Sequence, residues 1–251
     1  MKPIGIVVPC YNEELRIDVK YWQEIIGENE NVYWVFVDDG SKDRTRIVLR
    51  EMLNYENVKL LALEKNQGKS EAVRFGMREL LRRNESIFAI GFLDSDSAFT
   101  ASDVERMIDL CDEKFKDKNS QINILISSRV KLAGRSITRD LKRHYISRVL
   151  LTVINWKWSG APYDTQSGFK IFKNSSTLEV ATELPFQTKW FVDLELFARS
   201  GAMNGPNQIW EEPVHSWKEV PGSKIGLKSS VKILKEIVLI MKILSRARSN
   251  Y

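Results

Sequence analysis

The sequence predicts an α/β protein, a mostly parallel mixed sheet flanked by helices with an amphipathic helix at its C-terminus, and three observations predict it. Four short runs rich in β-branched and aromatic residues, "IGIVVPCY", "VYWVFVDDG", "FAIGFLDSD" and "INILISSR", end in turn-forming or polar residues and read as buried strands. Segments of helical periodicity separate them, so strand and helix alternate, and right-handed crossovers then make neighbouring strands parallel. The last stretch, from about Gly226, sets Lys228, Lys232, Lys235, Lys242 and Arg246 at helical spacing against Val231, Leu234, Val238 and Met241.

In chain order, the first strand leads into a helical pattern over 15–27, the second into 42–54, a third helix spans 68–83, and a fourth runs over 101–115 from a cap at Thr100 or Ser102. The strands' carboxyl ends gather on one edge, where an open sheet presents its ligand crevice. Those ends carry residues 9–13, 38–43, 94–97 and 127–129. The second half changes character: "VLLTVINWKWSGAPYDTQSGFKIF" is aromatic and Gly-punctuated, the pattern of a lid or wall rather than a repeated βα unit. With no linker, internal repeat or low-complexity tract, residues 1–225 read as one domain and 226–251 as its C-terminal basic helix, docked on that domain or lying in a membrane interface.

Composition narrows the class. Hydrophobic residues make up 43% and charged residues 28%, which excludes a disordered chain. Two cysteines, Cys10 and Cys111, read as core residues and exclude a disulfide scaffold. The N-terminus "MKPIGIVVPC" reads as strand rather than signal peptide, and "IVLIMKIL" is too short to span a bilayer and is broken by Lys242. A cytoplasmic protein is expected. The net charge of +5 favours an anionic partner, a nucleotide, a phospholipid surface or nucleic acid. Nucleic acid is disfavoured, because the basic residues cluster in one helix without stacking aromatics.

The strand ends suggest chemistry. Asp94 and Asp96 close a buried strand with two carboxylates one residue apart, and although such a triplet arises by chance about once in a chain this long, its place at the crevice asks for a partner. Paired carboxylates are the hard oxygen ligands that Mg²⁺ or Mn²⁺ prefers, and such an ion bridges the phosphates of a nucleoside diphosphate. Asp39 would accept a hydrogen bond from a uracil or guanine ring N–H or a ribose hydroxyl, and the 9–13 loop would wall the base.

In this order, "IVVPCYNEE", "VDDGSKDRT", "NQGKSEAVRFGM" and "LDSDSAFTASD" resemble the inverting glycosyltransferases of family 2, which have the Rossmann-like GT-A fold. "DLKRHYISR", "DTQSGFKIF", "WFVDLEL" and "WKEVPGSKI" are similar to its polyprenyl-phosphate branch, nearer the dolichyl-phosphate β-glucosyltransferases than the mannosyltransferases. The resemblance implies metal-dependent transfer of a hexose, glucose first, from a nucleoside diphosphate sugar, UDP first, to a polyprenyl-phosphate-type lipid, at the cytoplasmic face of a membrane with which the protein makes peripheral contact. It places Pro9, Tyr11, Glu13 and Asp39 at the nucleoside, Asp94 and Asp96 at the metal and diphosphate, and Gln166, Ser167 and Gly168 at the sugar. It places Arg129 and Arg143 at the acceptor phosphate, Ser223 and Lys224 over the diphosphate, and Asp193 as the base if one is needed. Three features depart from the branch: Ser97 and Ala98 replace the Leu and metal-binding Gln that follow the acidic pair in mannosyltransferases, Ser167 replaces a Cys, and no membrane-spanning segment is present.

Plainer readings stand beside these. Asp38 would cap a helix opening near Ser41. Glu195 would hold loops, and His144 and His215 lack metal-ligand spacing. Lys142 and Arg148 would be surface cations or meet lipid headgroups. Trp156 and Trp158, alternating like a strand or set in a lid, would pack in the core. Two other functions remain: a glycosyltransferase acting on a saccharide hydroxyl in surface-polysaccharide assembly, and a nonenzymatic nucleotide-sugar or membrane-binding protein.

Overall fold

The computed structural model describes residues 2–83, 87–117, 120–220 and 230–249, with the side chains of 141–147, 204, 206, 230–233 and 248–249 left aside. The first strand, β1 (Ile4–Cys10), lies inside a seven-stranded sheet, third from one edge. It is flanked by β2 (Val32–Asp38) on one side and β4 (Ala89–Leu93) on the other, both parallel to it. Being covered on both faces, these strands are almost continuously apolar, which is why they are legible as runs rather than alternations.

Four of the expected strands form, and so do four of the expected helices. Helix α1 (Val19–Glu28) begins later than its periodicity suggests, because residues 13–17 first close a turn in which Glu13 O accepts from Arg16 N and Ile17 N at 2.9 Å each; Asp18 then caps the helix. Helix α2 (Thr45–Leu49) continues as a 3₁₀ turn through Asn54. Helix α3 (Lys69–Leu81) starts one residue after Gly68. Helix α4 (Ala101–Lys116) is capped by Thr100, whose hydroxyl accepts from Asp103 N at 3.2 Å. Strand β5 (Ile124–Ser128) completes the expected set.

The sheet is wider than the sequence suggests. Strand β3 (Val58–Ala62) extends the edge beside β2; it is short and only half buried, so no apolar run betrays it. Helix α5 (Leu141–Lys157) runs into the first part of the stretch read as a lid and carries Trp156 near its end, with Trp158 just after it rather than on a strand. Strand β7 (Phe169–Lys173) inserts antiparallel between β4 and β5, and β8 (Ile209–Pro213) runs parallel to β5 at the far edge. The order is β3-β2-β1-β4-β7-β5-β8. A small two-stranded sheet pairs β6 (Ser136–Thr138) with β9 (Ser216–Lys218) beside it.

Two apolar cores hold this sheet. On one face Trp22, Trp34, Phe36, Met107 and Cys111 pack together with Cys10, so both cysteines are buried core residues as expected. On the other lie Val7, Val73, Met77 and Phe172, with Leu194 and Phe197 of α7 (Val192–Arg199) and Ile240, Ile243 and Leu244 of α8 (Ser230–Ser249). Helix α6 (Ser176–Glu183) packs against α3 and α7. Trp158 joins this core edge-on to Phe197, while Trp156 is 81% exposed. Helix α8 is docked, with an orientation that differs from the sequence reading. Ile240, Ile243 and Leu244 face the domain, whereas Leu234 and Val238 stay exposed with Lys235, Lys242 and Arg246. Among the described residues no helix is long and apolar enough to cross a membrane.

Candidate active site

The crevice forms where β1, β2, β4, β5 and the residues before β7 end together. Two of its turns hold non-glycine residues at positive φ, Asn12 at 50° and Ser97 at 55°. Such left-handed backbone is costly for Ser in particular and is tolerated where surrounding contacts over-determine it. Asn12 is pinned on both sides: its N–H donates to Ser41 Oγ and its Oδ1 accepts from Lys42 N, each at 2.9 Å. The 9–13 loop is thereby stitched to the turn after β2. Pro9 pairs with Val37 at the end of β1, Tyr11 follows it partly exposed, and buried Glu13 binds Arg16 through both oxygens at 3.0 Å.

Asp38 and Asp39 divide their work. Asp38 accepts from Ser41 N at 2.9 Å and Arg46 Nε at 2.7 Å; it closes a turn rather than capping a helix as expected, because α2 opens only at Thr45, behind Arg44 and without a side-chain cap. Asp39 turns to the loop before α3, accepting from Asn66 Nδ2 at 2.8 Å, Gln67 N at 2.7 Å and Gly68 N at 2.9 Å. Burial pushes its carboxyl above the ordinary carboxylate range, against the two backbone donors that pull it down. Gly68 sits at φ 102°, and a Cβ there would meet Lys189 at 2.8 Å, so this tight loop needs a glycine.

The loop delivers Lys69. Its Nζ lies 2.5 Å from Asp94 Oδ1. Burial works against the ammonium, but Asp94 and Asp193 outweigh it and hold Lys69 charged. Asp96 stands beside Asp94, with Arg16 3.8 Å away and Ala98 N donating to its Oδ1 at 3.3 Å. Burial first and the Asp94 charge second push the Asp96 carboxyl up to about 6. Two carboxylates that repel each other at the mouth of a crevice suit a hard divalent cation, which would relieve that repulsion. Among the described residues no group of three or more His, Cys, Asp or Glu side chains could hold a metal, so the pair would be completed by phosphate oxygens and water, the usual habit of Mg²⁺.

Gly168 makes the pair's position possible. Its carbonyl accepts from Asp94 N at 2.9 Å, and a Cβ at 168 would stand 2.4 Å from Asp94 Oδ2. Ser167 is fully buried, its hydroxyl 2.5 Å from that of Ser127, and Gln166 offers its carbonyl to Arg129 Nη2 at 3.0 Å. Arg129 itself is held by Asp164 in a fork, Nε to Oδ2 and Nη2 to Oδ1 at 2.7 Å each. That bidentate pairing keeps the Asp164 carboxyl far below its usual range despite its burial. Arg129 therefore reaches the crevice as half of an ion pair rather than as a bare cation.

Asp193, in the first turn of α7, is 4% exposed and forms an ion pair with the fully buried Lys170, whose Nζ also donates to Ser167 O. Burial lowers the Lys170 ammonium, while Asp193 opposes that. Glu195 accepts from Gln187 N, from Thr188 N and Oγ1, and from Arg199, holding loops as expected. Arg148 is no idle surface cation: it stacks on Tyr163 at 3.8 Å and donates to the Tyr163 carbonyl at 2.7 Å. His215 Nδ1 lies within hydrogen-bond reach of Asp103 Oδ1, at 3.1 Å. Ser223 and Lys224 lie outside the described residues, as do the side chains of Lys142, Arg143 and His144.

Lys69, Asp164 and Lys170 were missing from the sequence reading. Only Lys69 carries a signal of its own: a cation at the first position of a helix opposes the macrodipole, so its presence there calls for another partner.

A family model described as glycosyl transferase family 2 matches residues 5–170. The dolichyl-phosphate beta-glucosyltransferase of Saccharomyces cerevisiae is 31% identical, over 94% of this chain and 73% of that one. Its namesake from Homo sapiens is 30% identical over 89% of this chain and 70% of its own length. Among solved structures, glucosyl-3-phosphoglycerate synthase from Mycobacterium tuberculosis, in complex with Mn²⁺, UDP-glucose and phosphoglyceric acid, superposes with a TM-score of 0.65. It covers 96% of this chain and 80% of its own at 20% identity, a likeness of fold.

Proposed function

The chain belongs to glycosyl transferase family 2, and on that premise we propose that it moves glucose, with inversion, from UDP-glucose to a polyprenyl-phosphate-type lipid. It is a glycosyltransferase; the particular sugar, nucleotide, metal and membrane contact are parts of the proposal. One observation carries the reading: the Asp94 and Asp96 carboxylates converge in one crevice with the loop that Asp39 holds, within a chain 31% identical to a dolichyl-phosphate beta-glucosyltransferase.

Residues 9–13, with Pro9, Tyr11 and Glu13, would wall the nucleoside, and the remaining acceptor capacity of Asp39 would meet it. Asp94 and Asp96 would hold Mg²⁺ or Mn²⁺, which when bound supplies charge neutralisation of the departing diphosphate. Gln166, Ser167 and Gly168 would shape the sugar pocket, with Ser223 and Lys224 closing over the phosphates. An acceptor phosphate is already an anion at neutral pH, so its oxygen attacks without first losing a proton. It bonds to the anomeric carbon on the face opposite the diphosphate, and the old carbon–oxygen bond breaks with its electron pair leaving on UDP. Arg129, steadied by Asp164, and Arg143 would orient the incoming phosphate.

The state of Asp193 supports a phosphate acceptor over a saccharide hydroxyl. A hydroxyl needs a base, and here the candidate base is buried against Lys170. The 226–251 segment belongs, in this reading, to the same domain as 1–225, with its apolar side on the protein. Lys235, Lys242 and Arg246 would turn to the anionic cytoplasmic face of the membrane that holds the lipid.

Incubation of the chain with Mn²⁺, radiolabelled UDP-glucose and a polyprenyl phosphate in vesicles tests the proposal. Label in the organic extract, dependent on the lipid phosphate, is expected. Label found only on sugar or peptide acceptors overturns the acceptor, and release of UDP only from other donors overturns the sugar.

A further inference from the structure

The proposed metal site has a cation of its own. Lys69 Nζ sits 2.5 Å from the Asp94 oxygen that a divalent ion would need. It is not there by accident of a flexible surface chain. Asp39 fixes the preceding loop through Gln67 N and Gly68 N, and Lys189 O accepts from Ser70 N at 3.1 Å on the other side. The ammonium also lies 5.5 Å from the centre of the Phe92 ring, which gives it an apolar, electron-rich floor. A lysine is a point charge on a four-carbon stem, so it can change partners by a few ångströms without moving its helix.

We propose that Lys69 is a resident counter-ion that occupies Asp94 until metal and nucleotide arrive, and that it then passes to the diphosphate, making the two ligands bind cooperatively. The inference rests on the assignment of Asp94 to the metal made above. Its physical content is a competition. A divalent ion approaching Asp94 alone must displace, or sit beside, a like charge; with the diphosphate present, the displaced ammonium gains phosphate oxygens as partners. Metal and nucleoside diphosphate therefore each raise the affinity for the other, and linkage makes the two factors equal. Lys69 would be a positioning residue as well, since its new partner is the leaving group.

The test is binding, independent of turnover. Mn²⁺ affinity of the full chain is measured by EPR of free Mn²⁺ with and without UDP, for the wild type, Lys69→Met, Lys69→Arg and Asp94→Asn. Removing the ammonium should tighten binding of Mn²⁺ alone by roughly ten-fold, the effect of about 1.4 kcal/mol of like-charge repulsion, and weaken UDP binding in the presence of Mn²⁺. The UDP–Mn²⁺ coupling should fall by an order of magnitude or more in Lys69→Met and be largely kept in Lys69→Arg. Mn²⁺ affinity unchanged or weaker in Lys69→Met, with coupling intact, overturns the inference while loss of binding in Asp94→Asn leaves the metal assignment standing. Undiminished Mn²⁺ binding in Asp94→Asn overturns both. Thermal melts of each variant confirm that the comparison is between folded proteins.

Discussion

Replacing Asp96 by Asn should make the metal-free protein more stable while disabling the proposed metal site. The fold holds the Asp96 carboxyl at about 6, where a solvated aspartate sits at 3.8, because it is buried beside Asp94. Above pH 6 both folded and unfolded chains carry the charge, and the folded one bears the whole cost of confining it. As pH falls through 6 the folded state takes up a proton first and the penalty shrinks, and below about 4 both states are neutral and it vanishes. A difference of this size corresponds to roughly 3 kcal/mol. The side chain is 27% exposed, so solvent screening reduces this to about 1–2 kcal/mol. For a chain of this length that is a rise of roughly 3–6 °C in melting temperature. Asparagine keeps the Oδ1 that accepts from Ala98 N, so the turn itself is preserved. Thermal melts followed by circular dichroism in EDTA, from pH 8 down to pH 4, supply the measurement. The variant should melt higher at pH 8 and converge with the wild type near pH 4. An Asp96→Asn protein that melts at or below the wild type at pH 8, or a gap that widens as pH falls, refutes the electrostatic account of this site.

Three further outcomes follow from the same geometry. Gly168→Ala puts a methyl group 2.4 Å from Asp94 Oδ2 with no positive φ to strain, so calorimetry should show UDP–Mn²⁺ affinity falling by about ten-fold in a protein with a native spectrum. Asp164→Asn takes away the buried charge that pairs with part-buried Arg129 and should cost about 3–5 kcal/mol in urea unfolding; because the wild-type carboxyl is depressed, its contribution is present above pH 4 and lost as pH falls below it, so the variant should show a flatter acid limb. Ile240→Asp sets a charge into the core under α8 and should lower the detergent-free melting temperature sharply; an unchanged melt would mean that the helix does not depend on docking for its place.

Much of the sheet could be read directly because β1, β2, β4 and β5 are buried on both faces and therefore nearly unbroken in apolar residues. Strand β3 escaped because an edge strand half in water needs no such run. Strand β7 escaped for another reason: its antiparallel place between β4 and β5 is chosen by pairing partners more than 40 residues away, and nothing local announces it. In α8 the basic spacing was visible, but which apolar stripe turns inward was settled by the shape of the core formed by α7 and its neighbours.

The site divides along the same line. By itself the sequence determined which carboxylates and cations stand at the strand ends, Asp39, Asp94, Asp96 and Arg129 among them, because strand termini and short motifs are local and their chemistry is written in adjacent residues. Only the tertiary structure decided what each one holds: Asp39 the loop before α3, Asp94 the Lys69 ammonium, Arg129 the Asp164 fork and Asp193 the buried Lys170. A charge acts on whatever the fold brings within a few ångströms of it, and for these four the partner is 23 to 35 residues distant along the chain, beyond the reach of any periodicity.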